Sequence, residues 1–438
     1  MSGQKIKVCL FWFRRDLRLE DNNGLFQALR SGLPVLPLFI FDTSILKSLT
    51  DKADQRIQLI HAELQQLQKV LLKTGSSLLI KKGEPLEVFK QLIRSWDVRT
   101  VFTNHDYEPY SHIRDEQINS LLNSQNIPFH SFKDQVIFER NEVVKSDGAP
   151  YTVFTPYKNK WLDSLQARDI PEFPSENHYS GFLKTREFPF PSLEELGFRK
   201  SGRHFPTKEI DREIIKNYHT TRDFPALAGT TRLGSHLRFG TVSIRKLVQI
   251  ARELNPTFLS ELIWREFFMM ILYHFPRVVE QPFKPGYENI HWINNEEHFQ
   301  KWCEGRTGYP MVDAGMRELN TTGFMHNRVR MITASFLAKH LLIDWRWGEK
   351  YFAEKLLDYE LSSNNGNWQW SAGCGCDAAP YFRVFNPAVQ TKKFDPEQKY
   401  LKKWLPEYQD NAYPKPIIDH NFARERAITV YSKALRNS

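Results

Sequence analysis

Residues 357–387 read LDYELSSNNGNWQWSAGCGCDAAPYFRVFNP, a run that sets amides, small residues and two tryptophans beside an arginine. Such a composition suits something flat. Read locally, Asn364, Asn365 and Gly366 form a helix stop and a turn between two helices. Gly373, Gly375 and Ala378 spell GxGxxA, which in a dinucleotide fold follows a strand and opens a phosphate-facing helix. The preceding residues 368–372, WQWSA, offer no strand, so that reading fails.

Outward from this stretch, 438 residues are enough for two or three domains, each with its own core. A hydrophobic content of 41% describes a soluble globular chain, and no apolar run reaches the ~18–20 residues of a membrane span. Val8–Phe13 is too short, and too soon followed by Arg14 and Arg15, to be a signal peptide. A cytoplasmic protein is expected. The net charge of +9 favours a polyanionic partner. Cysteines 9, 303, 374 and 376 suit a reducing compartment, and the Cys374/Cys376 pair lacks companions at zinc spacing, so no metal is expected.

From Lys7 to about Phe132, β-branched and aromatic runs alternate with helical periods. Strands are predicted near Val8–Phe13, Val35–Phe41, Ser77–Lys81, Thr100–Thr103 and Phe129–Phe132. A helix over Ala53–Leu72 carries Ile57, Ile60, Leu64, Leu67 and Leu71 on one stripe. This alternation predicts an α/β domain with a Rossmann-like parallel sheet, whose ligands sit at the strand carboxyl ends. Between 133 and 203, prolines spread among Tyr151, Phe154, Tyr157 and Trp161 mark a long ordered connector. From 204 to 438 helices dominate, giving an all-α second domain.

Within the helical part, GTTRLGSHLRFG at 229–240 places small hydroxyl residues and backbone amides ahead of a helix, an arrangement suited to an anion. Thr230 and Thr231 by themselves read first as an N-cap. In SELIWREFF, Glu261, Trp264, Arg265 and Phe268 share one helix face, as do Asn327, Arg330 and Met331 in GFMHNRVRMITASFL. Met331 on its own reads as core packing. Lys392, Lys393, Lys399, Lys402 and Lys403 form a basic run that is either a solvated face or a phosphate contact.

NNGNWQW at 364–370 followed by DAAPYFRVFNP at 377–387 resembles the signature region of the DNA photolyase and cryptochrome family. FWFRRDLRLEDN at 11–22 extends the resemblance over essentially the whole chain, most strongly to the class I cyclobutane pyrimidine dimer (CPD) branch. The resemblance implies FAD in the helical FAD-binding and catalytic domain, 204–438, and an antenna-type domain at 1–132. Tyr218, Thr230, Thr231, Arg232, Leu233, Gly234, Arg265, Arg330, Asp358, Glu360 and Asn364 match the family's cofactor-binding positions. Gly234 stands where many relatives have serine, and Glu360 where many bacterial relatives have Asp. Glu261, Trp264, Asn327, Arg328, Met331, Trp370 and Arg383 match lesion- and DNA-binding positions. Glu261, Asn327, Met331 and Asn364 are the implied catalytic set, with Asn364 facing flavin N5. Trp368, Trp345 and Trp292 match the family's electron relay.

Members that open (6-4) products carry histidines where this chain has Asn327 and Met331, side chains that cannot act as general acids at neutral pH. The implied activity is light-dependent repair of CPDs by electron transfer from excited reduced FAD to the flipped-out lesion. The alternative is a cryptochrome-type light sensor, whose members commonly carry an extended tail that is not expected here. A single-strand-specific subgroup is disfavoured by Met331 and Trp370. Tyr107-Glu108-Pro109-Tyr110-Ser111 lacks the Asn-Glu pair of folate-binding members. The antenna is therefore left open among folate, deazaflavin, flavin or none. The expected partner is UV-damaged DNA, bound by a monomer associated with the nucleoid, with no membrane contact.

Overall fold

The β-branched and aromatic runs ahead of residue 133 form one parallel sheet. The computed structural model describes residues 5–436. Its strands are β1 (Lys7–Phe13), β2 (Val35–Asp42), β3 (Leu79–Gly83), β4 (Asp97–Asn104) and β5 (Phe129–Phe132), in the order β3-β2-β1-β4-β5. All four pairings are parallel. The α/β sheet read from the sequence is thus observed. Val8–Phe13 is buried along its whole length, as expected of a central parallel strand whose crossover connections cover both faces of the sheet. The helix Gln55–Lys73 buries Ile57, Leu64, Leu67 and Leu71 as expected, but Ile60 is only half-buried and Leu59 takes a core place.

The carboxyl ends of β1 and β4 flank the point where strand order reverses. Arg14 donates to both Asp115 oxygens at 2.5 and 2.6 Å, Arg15 lies 3.1 Å from Asp106 and from Glu108, and Asn104 Nδ2 reaches Asp16 Oδ2 at 2.6 Å. The crevice in which ligands of such sheets usually sit is crossed by the protein's own polar network. Deeper, Arg18 pairs with Asp134 at 2.7 Å, and Arg245 holds Asp21 at 3.0 Å and Asp134 at 2.9 Å. These charges are almost fully buried and tolerate it because each has opposite-sign partners.

By contact, the chain divides into two compact units. One comprises the described part of Met1–Glu139 with Leu165–Ile210 and Arg232–Ile250; the other comprises Arg140–Ser164, Asp211–Thr231 and the described part of Ala251–Ser438. The stretch read as a connector is shared between them, and it contains a helix, Phe154–Gln166. Trp161 on this helix is fully buried and donates from Nε1 to Glu266 at 2.6 Å.

The second unit is helical, and among the described residues no strand follows Phe132. Its signature helix, Leu361–Ala372, runs unbroken through Asn364, Asn365 and Gly366, which corrects the local reading of a turn there. Tertiary contacts override the local preference. Asn365 and Gln369, one turn apart, both donate to the Val278 carbonyl at 2.9 Å, and a side chain at Gly366 would overlap the Phe268 ring. The helix ends at Gly373, whose φ of 94° favours glycine.

Trp302, Trp345 and Trp368 share one core with Leu337, Phe352 and Leu356. Each large side chain buried there contributes about 1.5–3 kcal/mol. Gly348 makes this packing possible, since a Cβ there would overlap the Trp368 ring and meet Leu337 Cδ2 at 2.5 Å. Gly348→Ala is expected to destabilise the protein by about 1–3 kcal/mol through overpacking, read as a lowered thermal midpoint.

Candidate active site

The signature helix, the helix Asn327–Ser335 and the loop 356–360 enclose a cavity with about 500 Å³ of empty space, open in part to solvent. Asn327, Arg330, Met331, Asp358, Glu360, Asn364 and Trp368, all singled out from the sequence, line it together with Phe352, Leu356 and Ser363. Spacing explains part of this convergence. Asn327, Arg330 and Met331 stand at i, i+3 and i+4 of one helix, and Asn364 and Trp368 at i and i+4 of another. Arg330 Nη2 pairs with Asp358 at 2.9 Å and Arg265 Nε lies 3.3 Å from Glu360, which ties helix Pro256–His274 to the cavity wall.

Asn364 has a partner that the sequence did not reveal. Its Nδ2 donates to the Glu349 carbonyl at 3.1 Å and to Glu349 Oε1 at 2.7 Å, leaving Oδ1 as the acceptor on the cavity side. Burial pushes the Glu349 carboxyl up, against the hydrogen bond from Asn364. Trp368 is 2% exposed, and its Nε1 has no hydrogen-bond partner among the described residues.

A second group lies on helices Arg212–Thr221 and Pro256–His274. Arg222 Nη1 donates to Glu261 Oε1 at 2.5 Å, and Arg328 Nη2 donates to Asp223 at 2.6 Å. The Tyr218 ring lies 5.4 Å below the Arg222 guanidinium, and the Phe394 ring 4.3 Å from that of Arg328. Burial pushes the Glu261 carboxyl up while Arg222 draws it down. The 2.5 Å contact requires Oε1 to accept. Trp264 is half-buried, and Phe154 stacks on it with ring centroids 3.6 Å apart and planes 9° from parallel. One indole face is therefore already covered.

The remaining expected residues lie elsewhere. Trp345 is 2% exposed and Trp292 half-buried against the same core as Trp368. The Arg346 guanidinium, 5.2 Å from the Trp345 ring, opposes positive charge on it; Asp344 and Glu288, at 3.0 and 2.8 Å from Arg346, offset this. Trp370 is half-buried and Arg383 exposed. Tyr218, Thr230 and Thr231 belong to the second unit, and Arg232, Leu233 and Gly234 to the first; none of the six is among the cavity-lining residues. Leu233 is buried, Arg232 has a left-handed φ of 54°, and Gly234 opens the short helix Gly234–Arg238.

The cavity suits a flavin. Phe352, Leu356 and Trp368 supply apolar wall, Asn327, Ser363, Asn364 and Asn367 supply polar edge groups, and Arg330 supplies a cation. The orphaned Trp368 Nε1 is a buried donor in that wall, and such donors are normally satisfied. Arg265 and Glu360 stand behind one side, and Asp358 fixes Arg330. Groups of histidine, cysteine and carboxylates able to hold a metal ion are absent among the described residues.

Comparison with known proteins agrees with this geometry. Residues 258–412 match the model of the FAD binding domain of DNA photolyase, and residues 9–176 that of DNA photolyase. The chain is 39% identical to the deoxyribodipyrimidine photo-lyase of Escherichia coli (strain K12), over 97% of this chain and 98% of that one. It is similar to a crystal structure of a bacterial class III photolyase from Agrobacterium tumefaciens, with TM-score 0.86, 32% identity and 99% of both chains covered. It is also similar to an archaeal photolyase from Sulfolobus tokodaii solved with two FAD molecules, one implicated as a light-harvesting cofactor (TM-score 0.82, 35% identity, 97% and 100% covered). With matches spanning nearly its full length at these identities, the chain belongs to the DNA photolyase family.

Proposed function

We propose that this protein is a CPD photolyase: it binds UV-damaged DNA and splits cyclobutane pyrimidine dimers under blue light, redox being conserved over the cycle. The observation that carries this reading is the cavity wall in which Asn327 and Met331 stand together beside Asn364 and Trp368. Neither Asn327 nor Met331 can give or take a proton near neutral pH, which suits a lesion needing an electron, shape and hydrogen bonds but no acid.

Reduced FAD, when bound, supplies the photoexcited electron. Arg265, Arg330, Asp358, Glu360 and Asn364 would hold and orient it, and by resemblance Tyr218 and Thr230–Gly234 would serve its phosphates and ribitol. Asn364 keeps its amide turned by donating to Glu349, which would leave Oδ1 free to accept from the flavin edge. Trp368, Trp345 and Trp292 carry positive charge from the cavity outward, because indoles are among the most readily oxidised side chains. On the lesion side, Asn327 donates from its amide, Glu261 offers Oε2, and Trp264, Trp370 and Met331 form apolar walls. Preorganised dipoles of this kind stabilise charge on the lesion without reorganising.

Arg328 and Arg383 take phosphates, Arg328 exchanging Asp223 for one of them. A lesion that already stacks and pairs badly is cheaply turned out of the duplex; photolyases are a standard example of such flipping. The net charge of +9 supports the polyanionic partner, and binding weakens with added salt. By role, 1–132 is the antenna-type part, 133–203 the connector and 204–438 the FAD-binding and catalytic part. The protein acts as a monomer in the cytoplasm, at the nucleoid; among the described residues no helix is long and apolar enough to cross a membrane.

The test is to illuminate the purified, FAD-loaded protein with two oligonucleotides, one holding a CPD and the other a (6-4) product. The CPD is expected to revert, and the (6-4) product to persist. Reversion of the (6-4) product, or of neither, overturns the reading.

A further inference from the structure

Lys339 is 1% exposed, an unusual place for an ammonium group. It sits in Phe336–His340, a π-helical stretch in which the Leu341 N–H reaches the Phe336 carbonyl at 3.1 Å. Such stretches are rare, and they turn side chains away from the direction an α-helix would give them. Here the turn brings Lys339 Nζ to the backbone carbonyl of Arg383, at 2.9 Å.

Arg383 lies in the irregular segment that follows the signature helix. Pro380 and Phe382 accept the local N–H bonds of Arg383 and Val384, at 2.9 and 3.1 Å, and Tyr381 stacks on Tyr431 with centroids 6.2 Å apart. Phe382 and Arg383 themselves are exposed. Tyr381 and Val384 pack beside Tyr431, but Phe382 and Arg383 between them stand in solvent; the Lys339 bond reaches this tip from the core, at the one residue of the turn with a cationic head. A buried ammonium with a single carbonyl is a costly arrangement, since an apolar side chain of similar length would fill the space more cheaply.

We infer that Lys339 is a positioning residue for DNA binding, which clamps the Arg383 turn through its carbonyl so that the guanidinium is presented to the phosphate backbone. The inference rests on the reading of Arg383 as a DNA contact. Burial lowers the Lys339 ammonium to about 8. The groups packed around it hold one state between pH 7 and 9. Burial raises the Cys374 thiol and the Tyr431 hydroxyl well above that range, lifts Tyr287 to about 12 and lowers His340 to about 3. The clamp therefore weakens as pH rises through about 8, where the amine loses its charge.

The test uses the full-length, FAD-loaded protein and the variant Lys339→Met. Trypsin cleavage after Arg383 in the absence of DNA is expected to quicken about tenfold or more in the variant, as the turn opens locally. The Kd for a CPD-containing duplex is expected to rise about tenfold, the scale of one charge-assisted hydrogen bond. Flavin content and thermal midpoint stay level or rise, whereas a merely structural role would lower both. In the wild type alone, with trypsin's own pH dependence taken from an unstructured reference peptide, cleavage after Arg383 rises between pH 7 and 9, a measurement that stands even if Lys339→Met folds poorly. Unchanged cleavage with no pH dependence overturns the clamp. Faster cleavage with unchanged Kd overturns its role in DNA binding, and Arg383→Ala with unchanged Kd shows that the reading of Arg383 is what failed.

Discussion

Replacing Trp368 by Phe will slow light-driven reduction of bound oxidised FAD by more than about a hundredfold, equivalent to about 2.7 kcal/mol of added barrier. Trp368 is the tryptophan that lines the cavity, and its ring is held by Gly348, Leu337 and Phe352, with Phe352 at 5.0 Å between centroids. A phenyl ring fills most of that space but is far harder to oxidise. Because a phenyl ring keeps most of the packing, the stability cost should be well below the ~3–5 kcal/mol of truncating a buried tryptophan to alanine. Repair by enzyme reduced chemically beforehand should persist, since the relay is then not needed. The check is to follow the flavin absorption bands under illumination with an external reductant, and separately CPD reversal after prereduction. Loss of repair in the prereduced state would show that Trp368 does more than relay charge.

The second large effect falls on the lesion platform. Trp264→Ala should weaken binding to a CPD-containing duplex by about 1–3 kcal/mol, the range for base–aromatic stacking. That is about 5- to 150-fold in Kd. Binding to undamaged duplex should change little, and the flavin should stay in place because Trp264 is not among the cavity-lining residues. The stacked pair with Phe154 sharpens this expectation. With the indole removed, the phenyl face that it covered at 3.6 Å becomes available, so some platform remains. The double variant Trp264→Ala/Phe154→Ala should therefore lose more than the first alone, with a non-additive term measurable by the double-mutant cycle. Titration of fluorescent duplexes measures all four affinities; equal Kd for wild type and Trp264→Ala would remove Trp264 from the lesion pocket.

Much of the architecture could be read from periodicity. The period-2 and apolar runs gave strands that lie within a few residues of those observed, and Gln55–Lys73 was legible from its stripe. The signature helix was not, because Asn-Asn-Gly is a turn signal by local preference; only the approach of Phe268 and the Val278 carbonyl explains why those residues are helical. Helix Phe154–Gln166 was likewise hidden by the prolines around it. In the site, spacing on single helices grouped Asn327 with Met331 and Glu261 with Trp264. Partners brought together across the fold were invisible. Arg222 meets Glu261 from 39 residues away, Asp223 meets Arg328 from 105, and Glu349 stands 15 residues before Asn364 with no pattern linking them. The assignments to cofactor and lesion came from the resemblance of motifs.

The four-charge cluster of Arg18, Asp21, Asp134 and Arg245 carries a consequence for synthesis. Arg245 meets Asp21 from 224 residues away and Asp134 from 111. A nascent polypeptide that has emerged only as far as β5 owns every strand of the sheet but lacks the guanidinium that neutralises Asp21. Until about residue 245 leaves the ribosome, two carboxylates must share Arg18 or stay wet, which delays closure of the first unit well beyond the translation of its last strand. Vectorial folding of this chain thus waits on a segment that belongs, by position alone, to the helical half.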